Sequence, residues 1–410
     1  MTTTYGPSRL ARTAVLAAAG LTIMAPAVIA PSLPAMVEHY EDQVLVQLSL
    51  TVTSLAIAVG APLAGTLADR LGRRPVLLGG LVLNAVAGSA GLVVADLGTL
   101  ITTRAVLGLA VGAVTTSVAT LLTDWFAGPR RAAYLGFQQA AASLGGVVLL
   151  PLAGILADAS WRAPFWLYTV AVPVAVLALV TVRDTSSTAA SVEVPTAAAA
   201  PSSDNEGRRA TAGRTPGGGP TERAPWRVAG LYLLALASTA VFYMAPAQLP
   251  FLLDGLGVGA ALTGVAIAGT TLTGLVGSLA FPAVRRRISP TAVTVTGLAA
   301  LGAGWILVGL ADGLPLALVG LLAGGLGVGL TVPNLNLRLG ELAPVAQRGR
   351  VLAGLVSSIF LGQFLSPIAV GTLAAGLSDT FIWAGLLAAT AAAIAAPLLL
   401  RPHHGRYPHA

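Results

Sequence analysis

Twelve apolar runs, each about as long as a bilayer is thick, follow one another along this 410-residue chain. They are residues 13–35, 45–68, 76–95, 98–123, 132–157, 163–182, 227–253, 260–284, 291–311, 314–339, 351–376 and 379–400. A hydrocarbon core takes about 20 apolar residues per helix, and only helices or closed barrels satisfy their backbone polar groups inside it. The chain is therefore expected to be an all-α polytopic membrane protein with twelve transmembrane helices. Charged residues make up 10% of it, and the mean hydropathy is +0.83. An ordinary soluble domain is roughly a quarter charged, so that class is excluded. Arg9 and Arg12 precede the first run as they would in a signal peptide, but 13–35 exceeds the roughly 7–15 residues of a cleaved apolar region.

One connection is long. Residues 183–226 are rich in Ser, Thr, Ala, Pro and Gly and include Gly217-Gly-Gly-Pro220. Such a composition cannot bury a core and predicts a flexible linker. It separates a six-helix half, 1–182, from a second, 227–400, and leaves 401–410 as a tail. All 23 basic residues are arginine. With the N-terminus inside, only Arg104 and Arg162 lie at or near the outer side, and the other 21 lie toward the cytoplasm. The positive-inside rule then puts both termini in the cytoplasm. The same bias explains the pI near 10.5 without a nucleic-acid partner. Having no cysteine, the chain forms no disulfide and no thiolate metal site, and no cofactor is expected.

Between the second and third runs lies Gly65-Thr-Leu-Ala-Asp69-Arg70-Leu-Gly72-Arg73-Arg74-Pro75. Gly72 can take positive φ, and Pro75 suits the first turn of a helix. Asp69 sits at the mouth of an apolar run, where an acid is costly unless paired. It is either an incidental acid in a positive-inside anchor or part of a charged latch. This stretch resembles the signature loop of the major facilitator superfamily at every glycine and charged position. The resemblance covers nearly the whole chain, from Arg12 to Leu400. It implies two six-helix halves with a substrate site between them, and a latch made of Gly65, Asp69, Arg70, Gly72, Arg73 and Arg74.

The halves echo each other, as parallel repeats about the membrane normal should. Gly65-Thr-Leu-Ala followed by Arg73-Arg74 matches Gly277-Ser-Leu-Ala followed by Arg285-Arg286, with Phe281 in place of Asp69. Gly146 and Pro151 match Gly362 and Pro367.

Further motifs lie within the spans. Arg104-x-x-x-Gly108-x-x-x-Gly112 places a charge where one costs roughly 2.5–3.5 kcal/mol. Arg104 either snorkels outward or faces the bundle interior. The motif resembles the family's helix-four motif, which implies a role in proton coupling for Arg104, with Asp69. Gly108 and Gly112 form a close-packing face. In the fifth run, Pro151 should kink the helix and Gly154 should admit a neighbour. There the sequence resembles the family's antiporter motif but carries Leu150 and Ile155 where glycines are expected. Two turns, Asp124 to Arg131 and Glu341 to Arg350, set an acid near arginines, as solvated loop charges or as salt bridges between the halves.

No Asp, Glu or His lies deep in any run, so a cavity should be neutral and suit neutral or lipophilic solutes. By the family's usual lining helices, the substrate residues are Gln138, Gln139, Tyr243, Asn334 and Gln363. His403-His404 is read as a solvated tail. Apart from that tail, no His pair, Gly-x-Ser-x-Gly or Walker loop is present to suggest an enzyme or an ATP-driven pump. The resemblance implies a monomeric plasma-membrane transporter that moves a small organic solute by alternating access, with proton-coupled efflux of drug-like compounds as the leading expectation. A sugar or metabolite carrier of the same superfamily is the alternative.

Overall fold

The computed structural model describes residues 7–22, 24–183, 225–343, 347–371 and 376–395. Most of the expected linker, the tail and His403-His404 lie outside these residues. Among the described residues every regular element is helical. The first half contains α1 (Arg9–Tyr40), α2 (Gln43–Leu71), α3 (Arg73–Leu92), α4 (Leu97–Trp125), α5 (Gly128–Ala159) and α6 (Ala163–Thr181). The second contains α7 (Trp226–Gly255), α8 (Ala260–Arg287), α9 (Pro290–Gly309), α10 (Leu314–Leu342), α11 (Arg350–Ile368) and α12 (Leu377–Ala393). Eleven of these are long and apolar enough to cross a membrane, and α12 is a shorter apolar helix. The chain is a multi-pass membrane protein.

Two helices differ from the expected continuous spans. α1 is broken into Arg9–Gly20, Met24–Ala27, the 3-10 turn Ala30–Ser32 and Leu33–Tyr40. α7 is broken into Pro225–Phe242, Met244–Ala247 and Leu249–Gly255. The cause is local: Pro26, Pro31 and Pro34 in α1, and Pro246 and Pro250 in α7, lack the N–H that a continuous helix needs. The tetrapeptide Met-Ala-Pro-Ala forms the short middle piece of both helices. It is a third internal echo, and it sits in the first helix of each half.

Water is absent from the hydrocarbon, so helices associate there mainly through close van der Waals contact, helped by small residues. Gly108 of α4 lies on the Thr53 carbonyl of α2, and Gly112 has room for no methyl, since one would come 2.8 Å from Ala61 N. In the second half Gly304 and Gly320 join α9 to α10, and Gly302 and Gly385 join α9 to α12. Leucine and valine side chains such as Leu63, Val86, Val180 and Leu279 stand exposed on the outside, as a lipid-facing surface requires.

The halves meet along two seams, α2 against α11 and α5 against α8. In the second seam Gly154 and Gly264 bring the backbones together, and a methyl on Gly264 would lie 3.1 Å from Gly154 Cα. Gly145 touches α1, on the Gly20 backbone, while Gly362 touches α7 at Leu236. Pro151 lies inside α5 and Pro367 inside α11.

Gly108→Leu should lower stability by about 1–3 kcal/mol or more, because Thr53 backbone must shift to admit it. Gly230→Leu, where nothing lies within 4 Å, should be neutral. Thermal unfolding of the two purified variants in detergent decides this; equal midpoints would refute tight packing of α2 on α4.

Candidate functional site

The ends of the helices define two faces. One carries the arginine-rich turns, among them Arg70, Arg73, Arg74, Arg130, Arg131 and Arg285 to Arg287; the other is arginine-poor.

At the arginine-rich face, Gly72 ends α2 with φ 95°, and its N–H donates to the Ala68 carbonyl at 3.0 Å. The positive φ predicted for this glycine is present. Arg73 Nε lies 3.2 Å from Asp124 Oδ2 of α4, with both side chains about a third exposed or less (27% and 31%). An exposed pair of this kind contributes at most about 1 kcal/mol. Asp124 therefore pairs with Arg73 in its own half, whereas the sequence left it as a solvated loop charge or a salt bridge between the halves. Arg131 instead donates to the Phe126 carbonyl at 2.9 Å. Arg74 donates to the Leu179 carbonyl of α6 at 2.7 Å, near the negative end of that helix dipole. Asp69 and Arg70 are exposed, and Asp69 has no ion pair or hydrogen bond among the described residues. A methyl on Gly65 would meet only Thr116, 3.8 Å away. A groove of about 510 Å³ between α2, α3 and α4, with Arg70 at one end, is lined only by first-half residues and so is not a site between the halves.

Arg104 does not snorkel. It is 1% exposed and packs inside the first half. Its Nη2 donates to the Ala87 and Gly88 carbonyls of α3 at 2.9 and 2.6 Å. Its guanidinium carbon lies 4.9 Å from the Phe165 ring centroid and 5.0 Å from that of Tyr168, both on α6. Tyr168 in turn donates to the Ala25 carbonyl of α1. Cation–π contacts on a desolvated arginine are worth about 2 kcal/mol and partly offset the missing counter-ion. Nε and Nη1 of Arg104 have no hydrogen-bond partner among the described residues. Gly88 and Gly91 make room for this box, since a side chain at either would overlap the Tyr168 or Phe165 ring.

Between the halves, at and beyond mid-depth toward the arginine-poor face, lies an uncharged polar cluster. Gln47 Nε2 of α2 donates to Gln248 Oε1 of α7 at 3.1 Å, and both residues are buried. Ser54 Oγ of α2 donates to Gln363 Oε1 of α11 at 3.0 Å. Tyr243, at the break in α7, is 5% exposed. Its hydroxyl faces Ser54 without reaching hydrogen-bond geometry. The cluster offers amide and hydroxyl groups from three helices and no charge, which suits a neutral polar group of a ligand.

The predicted cavity residues thus fall in three places. Tyr243 and Gln363 join the cluster. Gln138 is half-buried and Gln139 exposed, on the arginine-rich half of α5. Asn334 is buried in the second half, where Nδ2 donates to the Pro290 carbonyl and to Thr294 Oγ1 at 2.8 Å each. That amide holds α10 to α9. Ser54 and the pairing of Gln47 with Gln248 were not singled out from sequence, where nothing marks α2 as the neighbour of α7 and α11. Among the described residues no group of three or more metal-ligating side chains converges.

The last contacts between halves lie at the arginine-poor face. Asp158 Oδ1, near the end of α5, accepts from the Ala260 and Ala261 N–H groups of α8 at 2.9 and 3.3 Å. Nearby, Asp96 caps α4 within its own half. Hydrogen bonds from the Thr99 hydroxyl and from the Thr99 and Gly98 N–H groups hold its carboxyl below the usual carboxylate range.

The family model described as Major Facilitator Superfamily matches residues 15–337 and, in a second match, 231–409. Among curated proteins the chain is 32% identical over 157 residues to an efflux pump, dotC, of Dothistroma septosporum, covering 36% of this chain and 25% of that protein. It is 36% identical over 132 residues to a triacylglyceride transporter of Mycobacteroides abscessus, covering 32% and 25%. It is 29% identical over 121 residues to the quinolone resistance protein NorA of Staphylococcus aureus, covering 29% and 31%. The chain spans about a quarter to a third of the length of these relatives. Among solved structures, a D-xylose-proton symporter superposes with a TM-score of 0.70 at 16% identity, over 94% of this chain and 96% of that one. A POT family transporter in complex with 5-aminolevulinic acid superposes with a TM-score of 0.72 at 12% identity, over 95% and 96%. At these identities the likeness is one of fold.

A double-mutant cycle on Gln47→Leu and Gln248→Leu should give a coupling of about 0.5–1.5 kcal/mol in unfolding of the purified protein. Additive effects would show that the two amides do not hold the halves together.

Proposed function

The chain belongs to the Major Facilitator Superfamily and is a membrane transporter, and from that premise we propose that it exports drug-like or other small lipophilic compounds in exchange for protons. The observation that carries the substrate class is the uncharged cluster of Gln47, Ser54, Tyr243, Gln248 and Gln363 between the halves. It has no carboxylate for an organic cation and no arginine for an anion, so it favours neutral compounds. The similarity to the efflux pump dotC supports efflux over uptake, that to the quinolone resistance protein NorA a drug-like cargo, and that to the triacylglyceride transporter a lipophilic one.

In this reading the halves rock about the site between them, as parallel repeats do. The positive-inside rule makes the arginine-rich face cytoplasmic, so the contacts at the arginine-poor face close the outer side of a plasma-membrane protein that works as a monomer. Asp69, which has no partner among the described residues, supports an inward-open conformation, with its loop as the latch that closes on α11 in the other state. Gln138 and Gln139 line the cytoplasmic entrance, whereas Asn334 is left out because its amide is engaged with α9. Arg104, together with Asp69, serves proton coupling. Its aromatic and carbonyl cage joins α1, α3, α4 and α6, so a change in its hydration would reach all four helices.

Transport in inside-out vesicles tests this directly. An acid interior should drive a neutral lipophilic fluorophore inward, and collapse of the gradient should stop it. Arg104→Ala should abolish gradient-driven accumulation while membrane insertion stays intact. Normal accumulation would remove Arg104 from coupling, and gradient-driven movement of a sugar alone would overturn the efflux assignment.

A further inference from the structure

The N-terminal ends of the helices at the arginine-poor face are not capped alike. The first N–H groups of a helix have no partner inside it and need an acceptor from outside. Asp42 supplies one for α2, accepting from Leu45 N–H at 2.9 Å, and Asp96 supplies one for α4. The corresponding residue of α8 is Gly259, in extended conformation with φ −66° and ψ 167°, which has no side chain to offer. The acceptor comes instead from Asp158, on α5 in the other half. Its carboxylate sits 3.4 Å from the place where a side chain of Gly259 would begin. One turn back along α5, Gly154 packs on the α8 backbone, with a methyl there 2.9 Å from Ala261 Cα. The cap and the seam therefore form together.

We propose that Asp158 is the latch of the outer side. It caps α8 across the junction of the two halves, and this bond exists only while that side is closed. The inference rests on the alternating-access reading above. When the halves separate at this face, α5 carries Asp158 away and the α8 N-terminus passes to water. An anion at a helix N-terminus is favoured by the helix dipole as well as by the hydrogen bonds. Only the closed state gains from that contact, so it shifts the population toward closure. A cap within one half, such as Asp96, stabilises both states equally and shifts nothing. The absent side chain at Gly259 is what makes the cap depend on conformation.

The test uses a single cysteine in a chain that has none. Ser32 lies in the α1 turn that packs on α8, is 1% exposed, and its hydroxyl has no partner among the described residues, so Ser32→Cys costs no hydrogen bond. Its labelling by a membrane-impermeant thiol reagent from the outer side reports opening there. Asp158→Ala should raise the labelling rate by about five-fold, the effect of losing a typical N-cap. Adding Gly259→Ser gives α8 a cap of its own in both states. The double variant should regain the parent's thermal stability and keep the raised labelling rate. An unchanged rate in Asp158→Ala overturns the latch. So does a double variant in which stability and labelling both return to the parent's values, because Asp158 would then only stabilise α8. The assay needs neither substrate nor gradient. Failure of the efflux assignment therefore shows in vesicle transport and leaves this result standing, and the reverse also holds.

Discussion

Hydrocarbon offers no hydrogen bonds, and the architecture depends on that constraint. Each helix must satisfy its own backbone, and helices must then attract one another without a hydrophobic driving force. Glycine contacts meet the second demand within each half, at Gly108 on Thr53 and at Gly304 on Gly320. Where the backbone is broken, in α1 and α7, the interruptions fall on helices that face the other half, so the freed polar groups lie inside protein. Arg104 follows the same logic. With no carboxylate at its depth, it takes two α3 carbonyls and two aromatic faces as its surroundings.

The junction between the halves uses close glycine contacts as their interiors do, at Gly154 and Gly264 in the α5–α8 seam. Between halves, the polar contacts among the described residues are few: Gln47 with Gln248, Ser54 with Gln363, and Asp158 with the start of α8. Each is a bond of about 1 kcal/mol and can be exchanged for water. Such a junction can open at modest cost while each half keeps its shape. The contacts all lie at mid-depth or toward the arginine-poor face, which gives this conformation its polarity.

Much of the fold was legible because membrane spans write themselves in composition. The runs, their division into two halves, the positive φ of Gly72 and the close packing of Gly108 and Gly112 all follow from local chemistry. What was not legible depends on which helix lies across from which. Asp124 sits near Arg130 and Arg131 in sequence, yet Arg73 reaches it from the turn after α2. Asn334 is a polar residue on a helix of the lining set, but its face of α10 meets Thr294. Ser54 is one of many span hydroxyls until Gln363 is placed beside it. The Met-Ala-Pro-Ala echo was available in the sequence and marked α1 and α7 as counterparts.

The central claim is that two rigid halves exchange one closed face for the other. Distances between paired spin labels test it, with one pair across the arginine-poor ends of α5 and α8 and a second across the arginine-rich ends of α2 and α11. On adding a transported compound or changing pH, the first distance should lengthen as the second shortens, with both populations present in each sample. Distances that lengthen together, or that stay fixed during transport, would contradict the account.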